Sequence, residues 1–193
     1  VADSGAGTRP VHVVAAAQYR DWLARQPAHV RAWLEGSAFE AKAGRSALLP
    51  GADGGPEAAL LVQSEPAEPW DFAALRDRLP AGDWRLQPAG GELDPGTAAL
   101  GWALASYRFE RYRKNNSKSV RLAVPADPAV EGANTVAEAV YLARDLINTP
   151  AADLGPAELA EAAAATAARH GATCRTIVGD DLVKLKVAPE VSS

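Results

Sequence analysis

The 193-residue chain contains no methionine and a single cysteine, Cys174. One thiol cannot build an intramolecular disulfide framework and suits a reducing compartment; Cys174 itself reads as a small buried residue on a strand. The missing initiator gives the expectation that the chain begins downstream of the translation start. No stretch reaches the ~20 apolar residues needed to cross a bilayer, and Val1 to Pro10 lacks the charged-then-apolar order of a secretion signal, so a cytoplasmic protein is expected. A large excess of charge of one sign is also missing. Twenty Lys and Arg against 24 Asp and Glu leave a net charge of −4, which argues against a general attraction to nucleic acid or membrane surfaces. Internal repeats are absent.

What is present is an alternation of strand and helix signals, with apolar residues at 48%, enough for one full domain and a piece of another. After small, polar residues 1–10, expected to be flexible, Val11 to Val14 reads as a strand. Helices follow around Gln18 to Arg25 and Ala28 to Leu34, separated by Pro27. Gly44 to Pro50 and Ala58 to Gln63 read as strands joined by the glycine-rich Gly51 to Gly55, a hairpin pattern. Pro69 to Leu79 reads as a helix and Trp84 to Gln87 as a brief strand. Asp94-Pro95 opens a longer helix carrying Leu100, Trp102, Leu104, Tyr107, Phe109 and Tyr112, apolar on more than one face and so buried between layers. Val120 to Val124 is a further strand. The pattern predicts an α/β domain over 11–125, a mixed sheet with helices on both faces.

Pro125 to Pro128 and Glu131-Gly132 mark a loop, and Thr135 with Glu138 fits a capping box opening an amphipathic helix to Asn148; residues 126–149 thus read as a linker loop and helix. Pro150 biases Thr149 out of the helical region and ends it. A second helix starts at Gly155-Pro156, proline taking the first helical position, and stops at His170-Gly171. Thr173 to Val178 then reads as a strand. Residues 150–193 would be the incomplete start of a second α/β domain, represented by its first helix and strand.

The run Leu142 to Glu161, LARDLINTPAADLGPAELAE, resembles the junction between the N-terminal and catalytic domains of the leucyl aminopeptidase (cytosol aminopeptidase) family. Arg144, Asp145, Leu146, Asn148, Pro150, Pro156 and Ala160 stand where that resemblance expects them, whereas Asp153 replaces the more usual asparagine. Tyr107 to Tyr112, YRFERY, is similar to a segment of the shorter bacterial members, and Gly179-Asp180-Asp181-Leu182 to the segment after the first catalytic-domain strand. The resemblance extends over residues 10 to 183 and is carried mainly from 95 onward. It implies an N-terminal α/β domain, a linker helix and a catalytic domain holding two divalent cations, zinc or manganese. The complete protein would be a hexamer acting on the N-termini of peptides.

A two-metal peptidase needs clustered carboxylates, usually helped by lysine, to hold its cations and acidify a bridging water. The family supplies these from Gly-Lys-Gly and Asn-Thr-Asp-Ala-Glu-Gly-Arg segments, and neither occurs here. Lys184-Leu185-Lys186 is no substitute, since the flanking glycines are missing, and Val183 to Ser193 departs from the family pattern altogether. No catalytic, cofactor-binding or metal-binding residue is therefore assigned in this chain, which should be inactive alone. Asp180 and Asp181, as neighbours on an extended chain, would point to opposite faces and read as a solvated turn. His12, His29 and His170 lack metal-ligand spacing, and His170 suits the negative end of a helix dipole. Gly51 to Gly55 has no Gly-Lys-Ser/Thr ending and no helix behind it, so it reads as a tight connection rather than a phosphate cradle. The basic run Arg108, Arg111, Arg113, Lys114, Lys118 and Arg121, interleaved with aromatics, could contact nucleic acid, but a solvated face, helix end or subunit contact is the preferred reading. Two other identities stay open: a complete noncatalytic assembly subunit derived from an aminopeptidase, and a nucleotide- or nucleic-acid-binding α/β module.

Overall fold

A computed structural model of the chain describes residues 7–112 and 118–184. By its internal contacts the chain divides into two units, Val1–Ala143 and Arg144–Ser193. The expected flexible 1–10 segment falls largely outside the described residues, as do Arg113, Lys114, the Asn115 to Ser117 turn and everything after Lys184.

Unit 1 is built on five strands: β1 (Arg9–Ala15), β2 (Ser46–Pro50), β3 (Pro56–Gln63), β4 (Gly82–Gly90) and β5 (Val120–Ala123). Their order is β2-β3-β1-β4-β5. β1 pairs in parallel with both β3 and β4, and β4 in parallel with β5, while β2 adds an antiparallel edge. A parallel strand buried on both faces must be apolar at nearly every position; ALLV in β3 meets that demand, and VHVV in β1 departs from it only at His12. Val11, Val13, Ala59 and Leu61 pack on one side with Phe72 and Leu75 of α3 (Pro69–Arg78) and with Ala98 and Trp102 of α4 (Pro95–Ser106). Val14, Leu60 and Val62 pack on the other side with Trp22 of α1 (Tyr19–Ala24) and with Val30 and Leu34 of α2 (Ala28–Gly36). The expected mixed sheet with helices on both faces is the architecture of this unit.

Helix ends follow the local chemistry. Glu68 and Asp71 form a capping box at the start of α3, which places the buried Asp71 carboxylate where it accepts from Ser64 N at 2.8 Å, Glu68 N at 3.2 Å and Ser64 Oγ at 3.1 Å. Asp94 caps α4, accepting from Gly96 N and Thr97 N, each at 3.1 Å, and from Thr97 Oγ1 at 2.5 Å. These bonds to the ionised carboxylate, the Thr97 hydroxyl foremost, hold its pKa below the ordinary value. The edge strand β2 is guarded by side chains. Trp33 Nε1 donates to Leu48 O at 3.0 Å and an Arg78 nitrogen donates to Ser46 O at 3.2 Å, occupying carbonyls that would otherwise invite another strand.

Three sequence expectations need correction in this unit. The helix opened by Asp94-Pro95 ends at Ser106, so Tyr107, Phe109 and Tyr112 lie beyond it; Tyr107 turns extended, with φ −55° and ψ 132°. The Arg108 guanidinium takes up carbonyls at that end, donating to Ala105 O at 2.8 Å and Tyr107 O at 2.7 Å. Glu131-Gly132 is not a loop, because α5 runs unbroken from Pro128 to Asn148. Its start is set by Asp127, whose carboxylate accepts from Ala129 N at 2.7 Å, with Pro128 at the first position. Thr135 consequently caps nothing and bonds back to Glu131 O at 3.1 Å. Val130 and Ala133 of α5 pack on Ala99 of α4, and the Tyr141 hydroxyl donates to Ala103 O.

Unit 2 contains the last turn of α5, then α6 (Pro156–Arg169) and the short α7 (Asp180–Lys184). Thr149 Oγ1 donates to Asp145 O at 2.7 Å, closing α5 just before Pro150, as the sequence expects. Gly155 N donates to the Glu158 carboxylate at 2.8 Å at the start of α6, and Gly171, with φ +68°, leaves it. The expected strand Thr173 to Val178 is not formed. A strand exists only against a partner, and no described residue of this unit supplies one. Cys174 is accordingly exposed rather than buried. Asp180 and Asp181 open a helical turn instead of extending a strand end. Ile147, Leu159, Val178 and Leu182 are all exposed, and α6 buries none of its residues.

Two tests of this packing follow from single residues. A Cβ on Gly101 would stand 1.9 Å from the Pro69 carbonyl oxygen where α4 crosses α3; backbone cannot yield as a side chain would, so Gly101→Ala should lower stability by about 3 kcal/mol in urea unfolding. His12, on β1 with its ring 5.7 Å from that of Trp22, is held below its ordinary pKa of 6.5 by burial and by the Arg85 charge. The unfolded chain therefore takes up this proton at a higher pH than the folded one. The corresponding stability is present above pH 6.5 and is lost as pH falls through and below that value. His12→Phe, which keeps a ring on Trp22, should show a smaller drop in unfolding midpoint between about pH 7.5 and about pH 5.5 than the parent chain.

Candidate functional sites

Each sequence candidate is tested by where its polar atoms go. In the glycine-rich connection, Gly51 N donates to Gly55 O at 2.8 Å, Gly54 N to Gly51 O at 3.0 Å and Gly55 N to Asp53 Oδ1 at 3.1 Å. A phosphate cradle needs free, converging N–H groups, and these three are turned inward to hold the β2–β3 turn. The basic run is similarly engaged. Arg121 forms a bidentate pair with Asp83 at 2.6 and 2.8 Å. Besides its two carbonyls, Arg108 lies 3.5 Å from the Asp77 carboxylate, and Lys118 donates to Asp77 O at 2.7 Å. Arg111 sits 5.9 Å over the Tyr112 ring. Bidentate and carbonyl-bonded cations are already spent on the fold: among the described residues of the run, Arg121 joins β4 to β5 and Arg108 closes the end of α4.

The three histidines are not brought together. His12 lies in the sheet, His29 is exposed on α2 and His170 caps α6 through its backbone N–H, which bonds Thr166 O and Ala167 O. Among the described residues no three His, Cys, Asp or Glu side chains are grouped to hold a metal ion. Asp180 and Asp181 stand exposed on α7 with no third ligand beside them. The donor set of a two-metal centre, several carboxylates converging on one point, is not met by the described residues, and no hydrolytic step is assigned to them.

One concave feature was not read from the sequence. The connections leaving the C-terminal ends of β1 and β3 go to opposite faces of the sheet, and neighbouring parallel strands that do so leave a crevice at their carboxyl ends. Ala15 and Gln63, the last residues of β1 and β3, are register partners there. Beside them opens a cleft of about 480 Å³ lined by the β3–α3 and β4–α4 connections, among them Gln63, Glu65, Glu92 and Asp94. Gln63 is 3% exposed; its Nε2 donates to Glu92 O at 2.7 Å, while its Oε1 has no partner. The sequence signal that could have located this place is Gly90-Gly91, both at positive φ at the end of β4. A Cβ on Gly91 would come within 3.2 Å of Ala15 Cβ and 3.4 Å of Gln63 Nε2.

No described helix is long and apolar enough to cross a membrane. Comparison with known proteins places the chain. The family model described as M17 aminopeptidase, N-terminal domain, matches residues 9–125. A probable cytosol aminopeptidase of Leifsonia xyli is 32% identical over 172 residues, an alignment taking in 81% of this chain and 33% of that protein. The crystal structure of the cytosol aminopeptidase from Coxiella burnetii superposes with a TM-score of 0.83 at 32% identity, over 95% of this chain and 40% of that one. The bottromycin maturation enzyme BotP, solved in complex with Mn, superposes with a TM-score of 0.68 at 27% identity, over 93% of this chain and 40% of that one. The chain thus spans about a third of the length of its Leifsonia relative. Through the mixed sheet of residues 9–125 and the family model that matches it, the chain belongs to the M17 aminopeptidase family, of which it carries the N-terminal domain.

Proposed function

We propose that this chain is the N-terminal portion of a two-metal exopeptidase that removes N-terminal amino acids from peptides in the cytoplasm, and that residues 150–193 begin its catalytic domain, with 126–149 as the linker. The observation carrying this reading is coverage. The chain is used almost whole, at 95%, in matching the Coxiella burnetii enzyme, yet accounts for only 40% of it. The metal-ligand segments absent from this sequence belong to the portion of such an enzyme that the chain does not span. Unit 2 supports the same reading: α6 buries none of its residues, and Ile147, Leu159, Val178 and Leu182 are exposed, as apolar side chains are where a core is incomplete.

In the complete protein two divalent cations, zinc or manganese, would activate a water for attack on the peptide carbonyl. The residues described here would contribute support and assembly, in a hexamer, rather than chemistry. The 193-residue chain should therefore release no product from leucine anilides with or without added Mn²⁺ or Zn²⁺, whereas a polypeptide carrying the Gly-Lys-Gly and Asn-Thr-Asp segments downstream should do so in a chelator-sensitive way. Turnover by a clean preparation of the 193-residue chain would overturn the assignment.

A further inference from the structure

The cleft beside Gln63 is lined by acidic and amide groups, and its free groups can be separated from those already committed. Asp94 spends both oxygens on the start of α4. Asp71 is saturated by Ser64 and by the start of α3, where Glu68 completes the capping box. Each of these helix starts carries about half a positive charge from its dipole, and the capping carboxylates answer it. Glu65 and Glu92 are different. Both line the cleft and are exposed, and among the described residues neither forms an ion pair. Two full negative charges are therefore left over, which makes the cleft hostile to phosphates and carboxylates despite the helix starts.

Gln63 adds a neutral demand of the same sign. Its Nε2 bond to Glu92 O fixes which way the amide points, since the reversed amide would set two oxygens against each other. Oε1 is thereby left as a buried acceptor without a donor, and such acceptors are rare because each forfeits a hydrogen bond that water would have supplied. A second glutamine at the same edge repeats the pattern. Gln18, whose Cβ lies 2.9 Å from where a Gly90 Cβ would stand, also has a buried Oε1 without a partner. Gln18 does not line the cleft; Gln63 Oε1 does belong to a lining residue, and an acceptor without a donor beside uncommitted carboxylates suits a cation that brings its own N–H groups.

We infer that the cleft at the C-terminal edge of the sheet binds a small organic cation rich in N–H donors, a guanidinium or primary ammonium compound, with Gln63 Oε1 and the Glu65 and Glu92 carboxylates as its recognition elements. The site lies wholly within unit 1 and is independent of the proposed peptidase chemistry. Agmatine, which carries both cationic groups, is the probe. In titration calorimetry on the 193-residue chain, agmatine should bind at least tenfold more tightly than butanol-amide controls lacking charge, and the affinity should fall with added salt. The double variant Glu65→Gln/Glu92→Gln changes exposed residues only and should weaken agmatine at least tenfold. Gln63→Leu, checked for folding by circular dichroism, should weaken it by a similar factor. Gln63→Met, which keeps the length of the side chain while removing the acceptor, should weaken it likewise and keeps the test informative if the leucine variant unfolds. Absence of agmatine binding, tighter binding of ADP than of agmatine, or equal binding by the parent and both carboxamide and Gln63 variants would each overturn the inference. So would loss in the carboxylate variant alone, since that outcome describes surface charge and not a site.

Discussion

The fold of unit 1 depends on β1 being parallel to both of its neighbours. A strand in that position has no exposed edge and no solvent face, so each of its side chains must find a core. Val11 and Val13 enter one, Val14 the other, and His12 is the polar exception, tolerated because its ring lies against Trp22. The same geometry forces the crossovers. A chain leaving β1 to pair with β3, then leaving β3 to pair β4 on the far side of β1, must cover both faces with helices. Connections that diverge in this way open the crevice at the strand ends, so the cleft lined by Gln63 is a by-product of the topology before it is anything else.

Charge in this molecule is used largely for closure. The interleaved basic and aromatic run looks like a ligand surface when read along the chain, because sequence shows the cations without their counterparts. Asp83 lies 38 residues from Arg121, and the β4–β5 register brings the two together; Lys118 reaches a backbone carbonyl of α3, that of Asp77, 41 residues away. Once paired, the guanidinium of Arg121 ties β5 to β4, and that of Arg108 finishes α4 where a helix would otherwise leave carbonyls unmet. The glycine-rich turn is a parallel case: the N–H groups of Gly51, Gly54 and Gly55 are used by its own acceptors.

The two units differ in how far local sequence suffices. In unit 1 the short apolar runs of β1 and β3, the proline at the start of α3 and α4, and the Asp94 cap were all legible, and the elements stand within a few residues of where those signals put them. In unit 2, helix ends at Asn148, Pro156 and His170 were legible for the same reason, since caps and prolines act within one turn. The Thr173 to Val178 strand was not, because β-branched alternation states a preference that a ladder must fulfil. The extension of α5 back to Pro128 was missed for the opposite reason. Gly132 argues for a break locally, yet burial of Val130 and Ala133 against α4 outweighs the ~1 kcal/mol that a mid-helix glycine costs.

Sequence alone settled the mixed α/β class, the family resemblance carried by Leu142 to Glu161, and the lack of metal-ligand segments, because each of these is a matter of local pattern or of residues present. Tertiary structure alone decided which charges are free. Glu65 and Glu92 look no different in the sequence from Asp71 and Asp94, all acidic residues near a proline or glycine. Folding spends the second pair on helix starts and leaves the first pair facing the cleft with Gln63, since a carboxylate's role is set by the donors that reach it and those come from backbone that only the folded chain positions.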